Sequence, residues 1–202
     1  MITSVSDFLE TGNIMIIPLF QDTKKAPNNT TIGLSRSASI TVKSAISSES
    51  FEGKEGKTIS IWTEECQIIL LGMGENNNLD TKKSRDIGAK CFSNLPENLG
   101  KNIVIRFTTG WNTEKMASFV EGMILRDYKF DKYQEKIDDE KQNEGWTIVC
   151  QTTKRFRENL DLEIKRLSSI ATGVHLARDL GNEPANRLYP EEFGIRANNW
   201  AI

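Results

Sequence analysis

RFRENLDLEIKRLSSIATGVHLARDLGNEPANRLYP, residues Arg155 to Pro190, carries the longest periodic pattern in the chain. Leu160, Ile164, Leu167, Ala171 and Val174 recur at spacings of three and four, which sets them along one stripe of an α-helix. A thinner stripe of Leu162, Ser169, Gly173, Leu176 and Leu180 lies nearly opposite. A helix that covers one sheet needs only the first stripe. The small residues on the second predict that a further body packs there closely, the alternative being a helix buried all round inside one domain. Gly181-Asn182 predicts the helix end, with Pro184 just beyond. Pro190-Glu191-Glu192 then has the form of a first helical turn, with proline at N1 and acids near the positive end of the helix. That helix has two or three turns before the chain ends at Ile202. The expectation is of a chain cut short, whose long helix leads into something that follows.

Upstream of this run, strands alternate with helices. Ile2 to Val5 is a short strand candidate, followed by a turn around Thr11-Gly12. Ile14 to Phe20 is a continuous apolar run of strand length, which suits a strand buried on both faces. Pro18 has no N–H for the ladder, so this strand must lie at an edge or loosen at that point. After a polar loop over 21–34, Ala38, Val42, Ala45 and Ile46 share one face of a helix predicted over Ser35 to Ser47. Thr58 to Trp62 and Gln67 to Leu71 read as an antiparallel hairpin joined by the Glu64-Glu65 turn. A helix from Asp80 to about Leu95 follows, with Asp80 or Thr81 as N-cap and Ser84, Ile87, Gly88, Cys91 and Leu95 inward. Ile103 to Phe107 is a strand. Asn112 caps the next helix, in which Gly122 predicts a close backbone approach. Asp131 to Glu144 reads as a solvated acidic loop, and Trp146 to Gln151 is the last strand. The alternation implies a three-layer α/β domain, its sheet mixed because of the hairpin.

Composition narrows the class. At 202 residues with 38 % hydrophobic residues and a mean hydropathy of −0.44, the chain has the make-up of a water-soluble protein long enough to bury a core. A net charge of −2 gives no reason to expect nucleic acid or an anionic membrane as partner. No apolar run approaches ~18 residues and no targeting segment is legible, so the cytoplasm is the default compartment. Cys66, Cys91 and Cys150 are odd in number and far apart, and each sits in or beside an apolar stretch; they read as reduced, buried thiols.

No reaction centre is legible. His175, the one histidine, stands four residues before Asp179, a spacing at which both could reach one metal ion, though a helix-surface hydrogen bond explains it as well. Leu71-Gly-Met-Gly74 follows a strand but lacks the third glycine of a phosphate-binding loop and reads as a turn. There is no His-Glu-x-x-His run, no Cys-x-x-Cys pair and no Gly-x-Ser-x-Gly elbow.

The run from Ile170 to Phe193, with its Ala-Arg-Asp-Leu180 helix end and Asn182-Glu-Pro-Ala-Asn186 turn, resembles the connector of the leucyl aminopeptidase (cytosol aminopeptidase) family. Two further blocks resemble the family in the same order: Leu71-Gly-Met-Gly74 with Arg85-Asp-Ile-Gly-Ala89, and Val120 to Tyr133. The resemblance implies a macro-domain-like amino-terminal domain over residues 1–155, a connector helix over 156–182, and the start of a peptidase domain over 183–202. It implies a parent protein that removes amino-terminal residues from peptides, with two divalent metals (zinc, manganese or magnesium) held by a Lys, several Asp and a Glu of the peptidase domain. None of those metal-binding motifs occurs in this sequence, so no catalytic, cofactor-binding or metal-ligating residue can be carried onto any position of it. The partners implied are the catalytic domain of the same chain, peptide substrates and further copies forming a homohexamer, with the amino-terminal domain serving assembly and substrate access. Gly181 and Glu183 depart from the family, which often has Val or Ile and Thr there, and the preferred amino-terminal residue is not readable. Relation to the macro domain leaves a second reading open, an ADP-ribose or nucleotide module, although the glycine-rich loop it requires is not legible.

Overall fold

The computed structural model describes residues 2–6, 12–21, 33–48, 51–95, 102–133 and 145–200. Its centre is the apolar run at residue 14. Strand β2 (Ile14–Leu19) is buried at every position. It lies between β4 (Gln67–Gly72) and β5 (Asn102–Arg106), parallel to both. With β1 (Ile2–Ser6), β3 (Thr58–Trp62) and β6 (Thr147–Gln151) the sheet has six strands in the order β1-β6-β5-β2-β4-β3. Among the described strands only the β3–β4 hairpin is antiparallel, which makes the sheet mixed as the sequence implies.

Pro18 shows how a proline survives in a central strand. β2 pairs with β4 along its whole length, but its pairing with β5 stops at Ile16, two residues before the missing N–H. The Pro18 carbonyl instead accepts from Trp111 Nε1 at 3.4 Å. Trp111 also packs on Phe20 and Phe107, with ring centroids 5.2 and 4.8 Å apart. These rings fill the space beyond the carboxyl ends of β2 and β5, where open α/β sheets commonly take ligands.

Helix α1 (Arg36–Ser48) covers one face of the sheet through Val42, against Met15, Ile17, Ile59 and Ile61. Helices α2 (Thr81–Ser93), α3 (Thr113–Arg126) and α4 (Lys154–Asn182) belong to the opposite face. Asp80 caps α2, its carboxylate accepting from the Lys83 N–H at 2.7 Å, and Asn112 caps α3 through the Lys115 N–H at 2.9 Å. The backbones of α2 and α3 come together at two glycines. A Cβ on Gly88 would stand 2.0 Å from the Phe119 carbonyl oxygen, and one on Gly122 would stand 2.0 Å from that of Arg85. Beside this contact, Arg85 Nε donates to the buried Glu121 at 2.6 Å.

Cys66, Cys91 and Cys150 are buried and free, and burial pushes the Cys91 and Cys150 thiols up to about 12, far from thiolate chemistry. Sequence reading did not anticipate one buried charge. Arg106 lies wholly inside at the end of β5, beside its ladder neighbour Gln151, whose side-chain oxygen accepts from its Nε at 2.9 Å. Desolvation lowers the Arg106 guanidinium to about 10.

Candidate functional site

Helix α4 runs for 29 residues, and the two stripes fare differently. Leu160, Ile164, Leu167 and Ala171 are buried against the domain. On the other side Leu162 is 62 % exposed, and nothing lies within 4 Å of a Cβ built on Gly173. The alternative of a helix buried all round is thereby ruled out: Leu162 and Ser169 are exposed, and Leu176 and Leu180, like Val174 of the first stripe, are half-buried.

The helix ends at Asn182, as expected, but not through a glycine cap. Gly181 stays within the helix and does not take the left-handed conformation of a glycine cap. The helix stops at Glu183, whose extended backbone (φ −65°, ψ 134°) is the conformation that the ring of Pro184 demands of its predecessor. After a short turn, α5 (Pro190–Trp200) begins at proline with Glu191 and Glu192 in its first turn.

Glu183 is also the centre of a polar cluster. Its side chain is 2 % exposed, covered by side chains that themselves meet solvent. Its carboxylate accepts from Lys132 Nζ and Tyr133 Oη on the segment after α3, and from Arg196 Nη1 of α5 at 2.9 Å. Arg196 Nε donates in turn to Glu192 at 2.7 Å. Lys132, Tyr133 and Arg196 together hold the Glu183 carboxyl down to about 2, and Glu183 in turn raises Lys132 and Tyr133. One carboxylate thus joins three segments. Lys132 and Tyr133 open the stretch read as a solvated acidic loop; the rest of that stretch, 134–144, lies outside the described residues. A carboxylate at a helix carboxyl end opposes the helix dipole, which is the one sequence signal that a local cation partner exists.

Above Glu183 an open groove of about 570 Å³ runs between α4 and α5. Leu176, Leu180, Phe130, Phe193 and Trp200 line it. Phe193 and Trp200 are 49 % and 65 % exposed, so the groove presents an apolar surface to solvent.

His175 and Asp179 do not form a metal pair. The Tyr128 ring lies on His175 with centroids 5.3 Å apart, and Tyr128 Oη donates to Asp179 Oδ1 at 2.8 Å. Burial and then Arg178 lower the His175 imidazole below its usual value, so it stays neutral near pH 7. Among the described residues no cluster of three His, Cys, Asp or Glu side chains suits a metal ion. The Gly72–Gly74 turn is a backbone crossing: Gly74 N donates to the Gly53 carbonyl at 2.9 Å, and a Cβ on Gly72 would meet the Lys54 oxygen at 2.0 Å. The site can therefore hold an apolar body between charged rims. It carries no constellation for bond cleavage among the described residues.

Residues 16–136 match the cytosol aminopeptidase family, N-terminal domain. The chain belongs to this family. Probable cytosol aminopeptidases of Alkaliphilus oremlandii (31 % identical, covering 92 % of this chain and 39 % of the relative) and Rhodopseudomonas palustris (30 %, 79 % and 33 %) resemble it over a long span. The chain spans between a third and two fifths of the length of these curated relatives. Among solved structures, a tomato leucine aminopeptidase mutant superposes with a TM-score of 0.72 at 18 % identity, covering 98 % of this chain and 42 % of that one. The bottromycin maturation enzyme BotP in complex with Mn gives a TM-score of 0.66 at 16 % identity, over 95 % of this chain and 36 % of that one. At such identities the superpositions bear on the fold, and they match the six-stranded α/β domain with its long carboxy-terminal helix. No helix among the described residues is long and apolar enough to cross a membrane.

Proposed function

We propose that the chain is the non-catalytic amino-terminal part of a two-metal leucyl aminopeptidase, and that its α4–α5 face is where the peptidase domain of the same protein sits. The observation that carries this reading is the uncovered apolar groove at the carboxy-terminal end of a chain that spans about a third of its relatives. The peptidase domain would cover Leu162, Leu176, Leu180, Phe193 and Trp200. Glu183, by tying α5 to the segment after α3, presents that face in one orientation. In the hexamer implied by the resemblance, the α/β domain then serves assembly and controls access of peptides to the metals.

The described residues do not fit the two metals themselves, since no suitable ligand cluster is present among them, and no catalytic step is assigned to this chain. The 202-residue chain by itself is expected to release no amino-terminal leucine with zinc, manganese, magnesium or cobalt. A protein extended by the downstream coding sequence is expected to do so, with loss on chelation. Failure of that longer protein would sink the proposal. Chelator-sensitive turnover by the 202 residues alone would overturn the assignment of the chemistry elsewhere.

A further inference from the structure

A second hollow, of about 310 Å³, lies on the far side of the domain between α2 and the edge strand β3. It exists because the sheet is wider than its helical cover. The glycine contacts at Gly88 and Gly122 seat α2 tightly beside α3, with α2 over β4. The Thr58 and Ser60 side of β3 is left exposed, while Ile59 and Ile61 on its other side are buried with α1.

The floor is apolar: Ile69, Leu71, Ile87, Cys91 and Leu95 each keep 4–7 % exposure, against 0 % for Ile14, Ile16, Ile103 and Ile105 in the same core. The rim carries Thr58, Ser60, Lys90 and Asn94, whose side chains make no hydrogen bond or ion pair with the described residues. Glu55, the acid at the mouth, is already matched by Lys83, its Oε2 lying 2.7 Å from Nζ. Among the described residues the uncommitted charge at the mouth is therefore one ammonium, with hydroxyl and amide donors beside it and an apolar floor beneath.

From this arrangement we propose that the α2–β3 hollow binds a small monocarboxylate with an aliphatic or aromatic body of about eight to ten carbons. The body lies on Leu71, Ile87 and Leu95, and the carboxylate meets Lys90 Nζ and the Asn94 amide. A single cation suits a monoanion; an amine would leave Lys90 facing a like charge. This site is separate from the α4–α5 groove and does not depend on the peptidase assignment.

The test is calorimetry of the 202-residue chain with octanoate, octan-1-ol and octylamine, with amide chemical shifts locating the site. Octanoate is expected to bind, with shifts confined to Thr58–Ser60, Ile69–Leu71 and Ile87–Leu95. Ser60→Trp, at an exposed strand position that accepts an aromatic, fills the hollow from its rim and should weaken octanoate by more than about tenfold. Lys90→Gln should weaken octanoate by about fivefold while leaving octanol within about twofold, and it decides the matter alone if Ser60→Trp fails to fold. The proposal is overturned by absence of octanoate binding below its micellar concentration, by octylamine binding as well as octanoate, by shifts at Leu176–Trp200 instead, or by a folded Ser60→Trp that binds like the parent.

Discussion

Gly122→Ala adds one methyl group to the middle of α3, and local propensity alone would make it favourable by about 1 kcal/mol. The structure predicts the opposite sign. The new Cβ would stand 2.0 Å from the Arg85 carbonyl oxygen, 2.9 Å from the carbon that bears it and 3.0 Å from the Ala89 nitrogen, all of them backbone atoms of α2. No rotamer can relieve a clash between a Cβ and a main chain. Ordinary contact begins near 3.4 Å, so the helices must part by more than about 1 Å. A gap of that size forfeits a quarter to a half of the dispersion attraction along the seam, and overpacking of this kind costs about 1–3 kcal/mol, occasionally more. A clash with main chain belongs at the upper end of that range, so after the propensity gain a net loss of about 2 kcal/mol remains, or a fall in Tm of about 4–8 °C for a chain of this length. Gly173→Ala is the control, because its Cβ meets nothing within 4 Å; it should raise Tm by about 2 °C. Gly88→Ala combined with Gly122→Ala should cost less than the sum of the two, since one separation relieves both clashes. The assay is thermal unfolding followed by circular dichroism. A Gly122→Ala protein that melts within a degree or two of the parent, or above it, would refute the close helix contact.

Ile16, wholly buried in β2, should tolerate no carboxylate: Ile16→Asp is expected to cost several kcal/mol and to abolish cooperative unfolding, and a parent-like melt would count against the central strand. Glu183 has its folded-state value depressed from 4.5 to about 2, so its contribution to stability is fully present above about pH 4.5 and is lost as the pH falls toward 2. The Tm gap between parent and Glu183→Gln should therefore be open at pH 7 and close by pH 2; a gap that widens in acid contradicts the cluster. Leu162, Leu176, Leu180, Phe193 and Trp200 should make the isolated chain self-associate at high concentration, each burial being worth about 1.5–3 kcal/mol. Light scattering should show Trp200→Lys shifting the protein toward monomer, whereas a parent that is monomeric at every concentration dismisses the adhesive face.

What could be read from the sequence depended on how far apart the interacting residues lie. The α4 stripe, the continuous run at residue 14, the caps at Asp80 and Asn112 and the close contact at Gly122 are each encoded within a few neighbouring residues, and each was legible. The end of α4 at Asn182 was legible too, but not its cause: Gly181 stays helical, and the constraint of Pro184 on Glu183 makes the stop. The Glu183 cluster joins side chains 50 and 51 positions away in the chain, and the acid at the carboxyl end of a helix hints at a cation partner without saying which. Arg106 and Gln151 meet only because β5 and β6 are adjacent in register, a fact of strand order that periodicity does not contain. The groove was half legible: its apolar residues stood out at helical spacing, but the charged seat beneath them did not.

The pairing of β1 with β6 sets Ile2 opposite Thr147 and Ser6 opposite Gln151. The earliest of the described strands therefore waits for the furthest along the chain before it has a place to go. Until about 150 residues have emerged, β2, β4 and β5 can assemble through shorter loops while the leading strand remains unpaired, a long closure that slows completion of the sheet. Its arrival then covers an edge of β6 that would otherwise stand open to other nascent chains. A bulky amino-terminal fusion joined directly at Ile2 would burden this final step, and refolding yield, more than equilibrium stability, is where the effect should register.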